Sequence, residues 1–388
     1  MRDKKKLLMD CMNKAVEDKE LAGLNYLVLE NGEEKFYAEA GYANIEENRK
    51  FQRDTIVRLY SQSKPITAAA AMLLIQDGII EPYEPVGNYI DSFKKQDIVE
   101  GGVRRPVRED RPMFIKDLLD MTSGLVYPFT DSPAEIGTGD LYNEMIDRFS
   151  GDNMMSTMEF AERLGTLPLN FQPGEHFRYG TSADVLGAVI EKASGMKFGD
   201  FLKERLFDPL NMKDTGFFVP EEKLSRYATA YHCGEETLRP YSGNNLGIRD
   251  DAKKNAFESG GAGLFSTIDD YANFARMLMN GGTFEGKEIL TERTVKFMTS
   301  PQLTDAQQQD MFSWQTLGGF SYGNLMRIMK NPAKSGTMVG EGEYGWDGWL
   351  GPYFCNDPES GRTVLMLTQR VDYGTGTVTR KLRNIVFS

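Results

Sequence analysis

Strand-like segments fall at the two ends of this chain and helical ones between them. That distribution constrains the fold more than any composition figure does. Near the start, Leu24 to Leu29 alternates loosely, Asn31-Gly32 supplies a turn, and Lys35 to Ala40 continues the pattern, which predicts a β-hairpin. Near the end, Gly351 to Asn356 and Thr363 to Gln369 read as strands joined by Asp357-Pro358-Glu359-Ser360-Gly361, and Thr379 to Val386 reads as a closing helix. Between them lie helical stretches over Ser61–Asp77, Met113–Met121, Ala183–Ala193, Phe198–Phe207 and Asp269–Met279. Lys4 onward suits an amphipathic helix with Leu7, Leu8, Cys11, Met12 and Ala15 inward. The prediction is an α/β (α+β) fold of one domain, 1–388: a sheet drawn from both termini (about 1–60 and 285–388) with a helical lobe inserted over about 61–284. The polar excursion over 82–112, rich in proline and charge, is long enough to cap a cleft or carry small elements of its own.

Composition excludes several functions. There are two histidines, His176 and His232, in 388 residues. A Ser-His-Asp triad is hard to build from them, and a multi-histidine metal site harder still. The net charge of −12 with no dense basic block argues against nucleic acid as a partner. No run approaches the length of a membrane span, and the first twenty residues lack the apolar core of a secretory signal. Three widely spaced cysteines without a CxxC fit reduced thiols, so the expected location is the cytoplasm. No metal or organic cofactor is implied.

A serine that lacks histidine can use a lysine as base when burial lowers the amine's pKa. Ser-x-x-Lys places the two groups on one helix face. The pattern occurs at Ser61–Lys64, Ser92–Lys95 and Ser194–Lys197. Ser92 lies in a polar stretch that leaves Lys95 solvated, and Ser194 precedes a helix-ending glycine. Only Ser61 opens a long apolar helix that can bury its lysine and offer amide donors to an oxyanion. The plainer reading of Ser61 is an N-cap.

The segment Val57-Arg-Leu-Tyr-Ser-Gln-Ser-Lys-Pro-Ile-Thr-Ala68 resembles the first motif of the serine β-lactamase and penicillin-binding-protein superfamily. Similar blocks follow in the family's order: Leu118 to Leu125, Pro173 to Tyr179, Asp184 to Glu191, Phe207 to Gly216 and Gly260 to Thr267. The chain is most similar to class C β-lactamase-like esterases, family VIII. The resemblance implies an antiparallel sheet flanked by helices and an acyl-enzyme on Ser61. Lys64 and Tyr179 would share acid–base work, and the amides of Ser61 and Trp349 would form the oxyanion hole. A phenol beside an ammonium should ionise more readily, which would let Tyr179 take the serine proton.

Departures from the family's pattern shape the substrate expectation. Thr181 replaces the amide that grips a β-lactam's acyl group. Trp346-Asp347-Gly348 fills the slot of Lys-Thr-Gly, so the cation that holds a substrate carboxylate is missing and Asp347 should repel one. Gly348 would let substrate approach a strand edge. Tyr127 and Phe129 are further lining candidates. The expected partner is a small neutral or hydrophobic ester or acyl donor. The alternatives are acyl transfer to an alcohol, a β-lactamase or D-amino-acid peptidase, and a non-catalytic binding module.

Overall fold

Asn31 and Gly32 both take positive φ, 52° and 81°, the twist that suits a two-residue link between antiparallel strands. They join β1 (Gly23–Glu30) to β2 (Glu33–Asn44), and a short β3 (Arg49–Lys50) comes next. The structure is a computed structural model that describes residues 3–233, 237–311 and 314–388. Its C-terminal part supplies β4 (Phe320–Gly323), β5 (Met326–Met329), β6 (Tyr344–Asp347), β7 (Tyr353–Asp357) and β8 (Arg362–Thr368). Among the described residues these eight strands form one sheet in the order β4-β5-β6-β7-β8-β1-β2-β3. Each pairing is antiparallel. The seam between the two chain ends is β1 on β8, with Leu24 opposite Thr368 and Glu30 opposite Arg362.

The helices packed around the sheet and the cleft include α1 (Lys4–Glu17), α2 (Lys64–Gln76), α3 (Ser182–Ser194), α4 (Ile268–Met279) and α5 (Thr377–Phe387). Successive side chains of a strand point to opposite faces. Tyr26, Val28, Val364 and Met366 pack with Leu8, Met12 and Ala15 of α1 and with Val378, Leu382 and Val386 of α5. Leu27, Leu29, Leu365 and Leu367 face the larger core on the other side. There Tyr271 and Phe274 of α4 meet Phe354 of β7. Leu7 and Cys11, expected inward on α1, are only half-buried. α4 falls in the stretch expected to belong to the inserted lobe, yet it is layered on the sheet, and Asn356 Nδ2 donates to Ala275 O at 2.9 Å.

Some elements differ from the sequence reading. The helices Pro133–Asp147 and Thr157–Leu164 have no counterpart in it, although Ser132 with Glu135 and Ser156 with Glu159 carry the N-terminal capping pattern that marks them. The β4–β5 hairpin is also absent from it, because the turn is Asn324-Leu325 rather than Asn-Gly, with Leu325 at φ 62°. Leu325 is fully buried and its N–H donates to Leu119 O at 2.7 Å, which offsets the strain. The expected helix Phe198–Phe207 is α-helical to Leu202 and then widens into a π-turn over Lys203–Phe207. The 82–112 excursion holds a hairpin, Asp97–Glu100 against Val103–Pro106, tied to Leu169. Among the described residues no helix is long and apolar enough to cross a membrane.

Candidate active site

The short strand Val57–Arg58 pairs with Phe265–Ser266, and Leu59 N donates to Leu264 O at 2.9 Å. The next residue, Tyr60, takes φ 46°, a left-handed conformation that costs a bulky residue roughly 1–3 kcal/mol. Its ring is fully buried edge-to-face against Trp349, with centroids 5.0 Å apart, and that packing holds it there. The chain then winds through a 3₁₀ turn, Tyr60–Ser63, into α2. Ser63 Oγ accepts from Leu264 N at 3.1 Å, and Tyr271 donates to Gln62 O at 2.9 Å. Ser61 therefore stands at a braced corner on the edge of a cleft.

Residues 64 to 74 of α2 are all buried, Lys64 included. Its ammonium is satisfied by three acceptors: Ser61 Oγ at 3.1 Å, Tyr127 Oη at 2.9 Å and Gly261 O at 2.8 Å. Burial lowers its pKa to about 7, against an opposing pull from Asp184 and Asp347. A neutral amine within hydrogen-bond reach of a serine hydroxyl is thus present near neutral pH. Lys95 and Lys197, the lysines of the other two tetrads, are exposed.

Tyr179 lies on the loop before α3, and Lys64 Nζ sits 4.6 Å from its ring centroid. Trp346 Nε1 donates to Tyr179 Oη at 2.9 Å, and Ser61 is hydrogen-bonded to the same oxygen. The expected easy ionisation of Tyr179 does not hold. Burial raises its pKa far above the ordinary phenol range and outweighs the bonds from Ser61 and Trp346. Tyr127 is raised as well, by burial first and then by its neighbour Tyr179. Both are phenols at neutral pH, so of the three groups around Ser61 it is Lys64 whose pKa is depressed.

The cleft of ≈ 1070 Å³ is lined by Ser61, Tyr127, Tyr179, Trp346, Asp347, Gly348 and Trp349, among others. Thr181 is not on this wall. It is fully buried, and its hydroxyl donates to Val126 O at 3.3 Å. The missing Cβ of Gly348 serves packing: one placed there would lie 2.0 Å from Leu59 O. The residue after β6 and the corner before Ser61 can therefore touch backbone to backbone, and Trp349 packs on Tyr60 and lines the same cleft as Ser61. Asp347 Oδ2 accepts from Thr375 Oγ1 at 2.9 Å, and burial raises its pKa against the pull of Arg327. Trp346 is nearly buried, and Trp349 packs on Tyr60 and Tyr241 with its Nε1 on Asp372.

A second cavity of ≈ 690 Å³ adjoins the cleft and shares Tyr127, Phe129, Tyr179 and Trp314 with it. Ile98 to Gly101 of the excursion hairpin form part of its wall. His176 lines this cavity with Nδ1 3.3 Å from Asp310, and His232 packs on Tyr241. Neither has a bond to Ser61. The bonds from Lys64 to Tyr127 and to the carbonyl of Gly261 lie beyond the sequence reading. Their only sequence signal is their position in the family-like blocks.

The family profile described as Beta-lactamase matches residues 8–385. The chain belongs to this family. Protein Rv1367c of Mycobacterium tuberculosis (strain ATCC 25618 / H37Rv) is 32% identical over 339 residues, covering 85% of this chain and 81% of that one. Esterase EstB of Burkholderia gladioli is 28% identical over 398 residues, covering 97% and 93%. Among solved structures, EstCE1, described as a hydrolase with promiscuous acyltransferase activity, superposes with TM-score 0.82 at 24% identity, covering 99% of this chain and 98% of that one. That likeness establishes the shared fold, and the antiparallel sheet with flanking helices agrees with it.

Proposed function

We propose that the protein is a serine hydrolase that cleaves small neutral or hydrophobic esters through an acyl-enzyme on Ser61. The observation that carries this is the fully buried Lys64, its amine on Ser61 Oγ at 3.1 Å and its pKa lowered to about 7 by burial. In acylation Ser61 Oγ attacks the ester carbonyl carbon while its proton passes to neutral Lys64. The developing oxyanion would be taken by the amides of Ser61 and Trp349, two residues that line the same cleft. As the C–O bond breaks, the alcohol leaves with a proton relayed from Lys64 through Tyr179, whose hydroxyl bonds Ser61. Water then repeats the steps in reverse order and restores Ser61. The similarity to an esterase across nearly the whole chain supports this reading.

Acyl transfer is the second reading. The cavity beside the cleft shares its aromatic wall and leaves room for an acceptor alcohol next to the acyl group. A β-lactam substrate fits less well, because Thr181 is buried and offers no amide to the cleft. The test is turnover of p-nitrophenyl butyrate by wild type and Ser61→Ala, with and without added alcohols, alongside nitrocefin. Hydrolysis lost in Ser61→Ala supports the proposal. New ester formed in proportion to added alcohol would favour transfer, and rapid nitrocefin turnover would overturn the ranking.

A further inference from the structure

Asp184 is fully buried at the start of α3, and it takes no part in the proton transfers of acylation. Its Oδ1 accepts from the Ser259 hydroxyl and from Gly261 N at 3.1 Å. Ser259 Oγ in turn accepts from Ala262 N at 2.9 Å. One carboxylate thus organises the turn Ser259–Ala262, and that turn presents Gly261 O to Lys64 Nζ at 2.8 Å. The glycines make the arrangement possible. A Cβ on Gly261 would fall 2.9 Å from Asp184 Oδ2, and one on Gly260 would fall 2.2 Å from Ala183 O. The turn lies flush against the first residues of α3, which leaves the carboxylate no space to swing away.

We propose that Asp184 is the positioning residue for Lys64. Through the Ser259–Ala262 turn it fixes the carbonyl that aims the amine at Ser61. This rests on the acyl-enzyme reading of Ser61 and Lys64. Around Lys64 the other titratable groups are Asp347 on β6, Tyr127 on the loop after Gly124, and Tyr179 on the loop before α3. Around Asp184 they are Lys64, Tyr127, Tyr142 and Tyr179. The two phenols, Tyr127 and Tyr179, are raised by burial and stay neutral, and Asp347 accepts from Thr375 and lies in the field of Arg327. Asp184 is the buried carboxylate bonded into the same network as the amine, so its loss should leave Lys64 neutral at lower pH.

Asp184→Asn keeps the shape and an acceptor while removing the charge. The measurement is the pH profile of kcat/KM for p-nitrophenyl butyrate, with thermal melting to report folding. The acid limb of Asp184→Asn should move down by about one pH unit, the lower end of the effect of an adjacent opposite charge. Ser259→Ala keeps the carboxylate but cuts its bond to the turn, so it should lower kcat/KM by loosening the aim of Lys64, and it serves if Asp184→Asn does not fold. A folded Asp184→Asn whose acid limb overlays wild type, or a folded Ser259→Ala with wild-type kcat/KM, would overturn the assignment and reduce Asp184 to a structural part. Ser61→Ala and Lys64→Ala run in the same assay separate the two ideas. If they retain activity, the nucleophile reading fails, whatever Asp184 does.

Discussion

Replacing Lys64 by Met should lower activity and raise stability together, with a pH dependence that identifies the cause. Burial takes the amine from its ordinary 10.5 to about 7. A gap of about 3.5 pH units at about 1.4 kcal/mol per unit makes the buried ammonium cost about 5 kcal/mol below pH 7. The sign follows from proton counting. Between 7 and 10.5 the unfolded chain binds more protons at this site than the folded one, so wild-type stability rises with pH across that window. At pH 9 the folded amine is already neutral, and the remaining cost is about 2 kcal/mol. Met fills similar space without the charge, but it leaves the carbonyl of Gly261 without its donor, a loss of roughly 1–3 kcal/mol. The net advantage of Lys64→Met should therefore be about 2–4 kcal/mol at pH 6 and near zero at pH 9. Urea unfolding of both proteins at pH 6, 7.5 and 9 reads this directly. A difference that stays constant across the three pH values would refute the reasoning, since it would mean that Lys64 keeps an ordinary pKa in the fold.

Other outcomes rest on the same geometry. Tyr179→Phe should lower kcat by about 10²–10⁴-fold and lower the melting temperature modestly, because the variant keeps the ring, loses the relay hydroxyl and leaves Trp346 Nε1 without its acceptor. In stopped-flow measurements on wild type, kcat/KM should rise as pH passes through about 7, where Lys64 loses its proton, and then level off. Gly348→Ala forces a carbon to within 2.0 Å of Leu59 O, so the corner at Ser61 must move. A shift of about 1 Å there should cost about 100-fold in kcat/KM. His176→Ala and His232→Ala should both still acylate in a p-nitrophenyl ester burst assay. A histidine variant as inactive as Ser61→Ala would contradict the lysine-based mechanism.

The sheet drawn from both chain ends is legible in the sequence because its seam strands are short apolar runs bounded by turn residues and one of its hairpins carries Asn-Gly. The β4–β5 hairpin is not, since Leu325 occupies a left-handed turn position that burial alone makes tolerable. Ser61 and Lys64 are legible from spacing plus the apolar helix that buries the amine. The state of Tyr179 is not: the neighbouring cation suggests phenolate, and desolvation outweighs it. Resemblance places Thr181 and Gly348 on the substrate side; Thr181 faces inward, while Gly348 lines the cleft and also serves backbone packing. Asp184 reaches Lys64 only through a turn some 75 residues away in sequence, which no local pattern encodes.

The central claim is that an acyl group becomes covalently attached to Ser61. Intact-protein mass spectrometry after brief mixing with a slowly turned-over p-nitrophenyl ester, followed by peptide mapping, tests it most directly. One acyl group on the peptide that carries Ser61, absent in Ser61→Ala, is the expected result. An adduct on another residue, or equal labelling of Ser61→Ala, would contradict it.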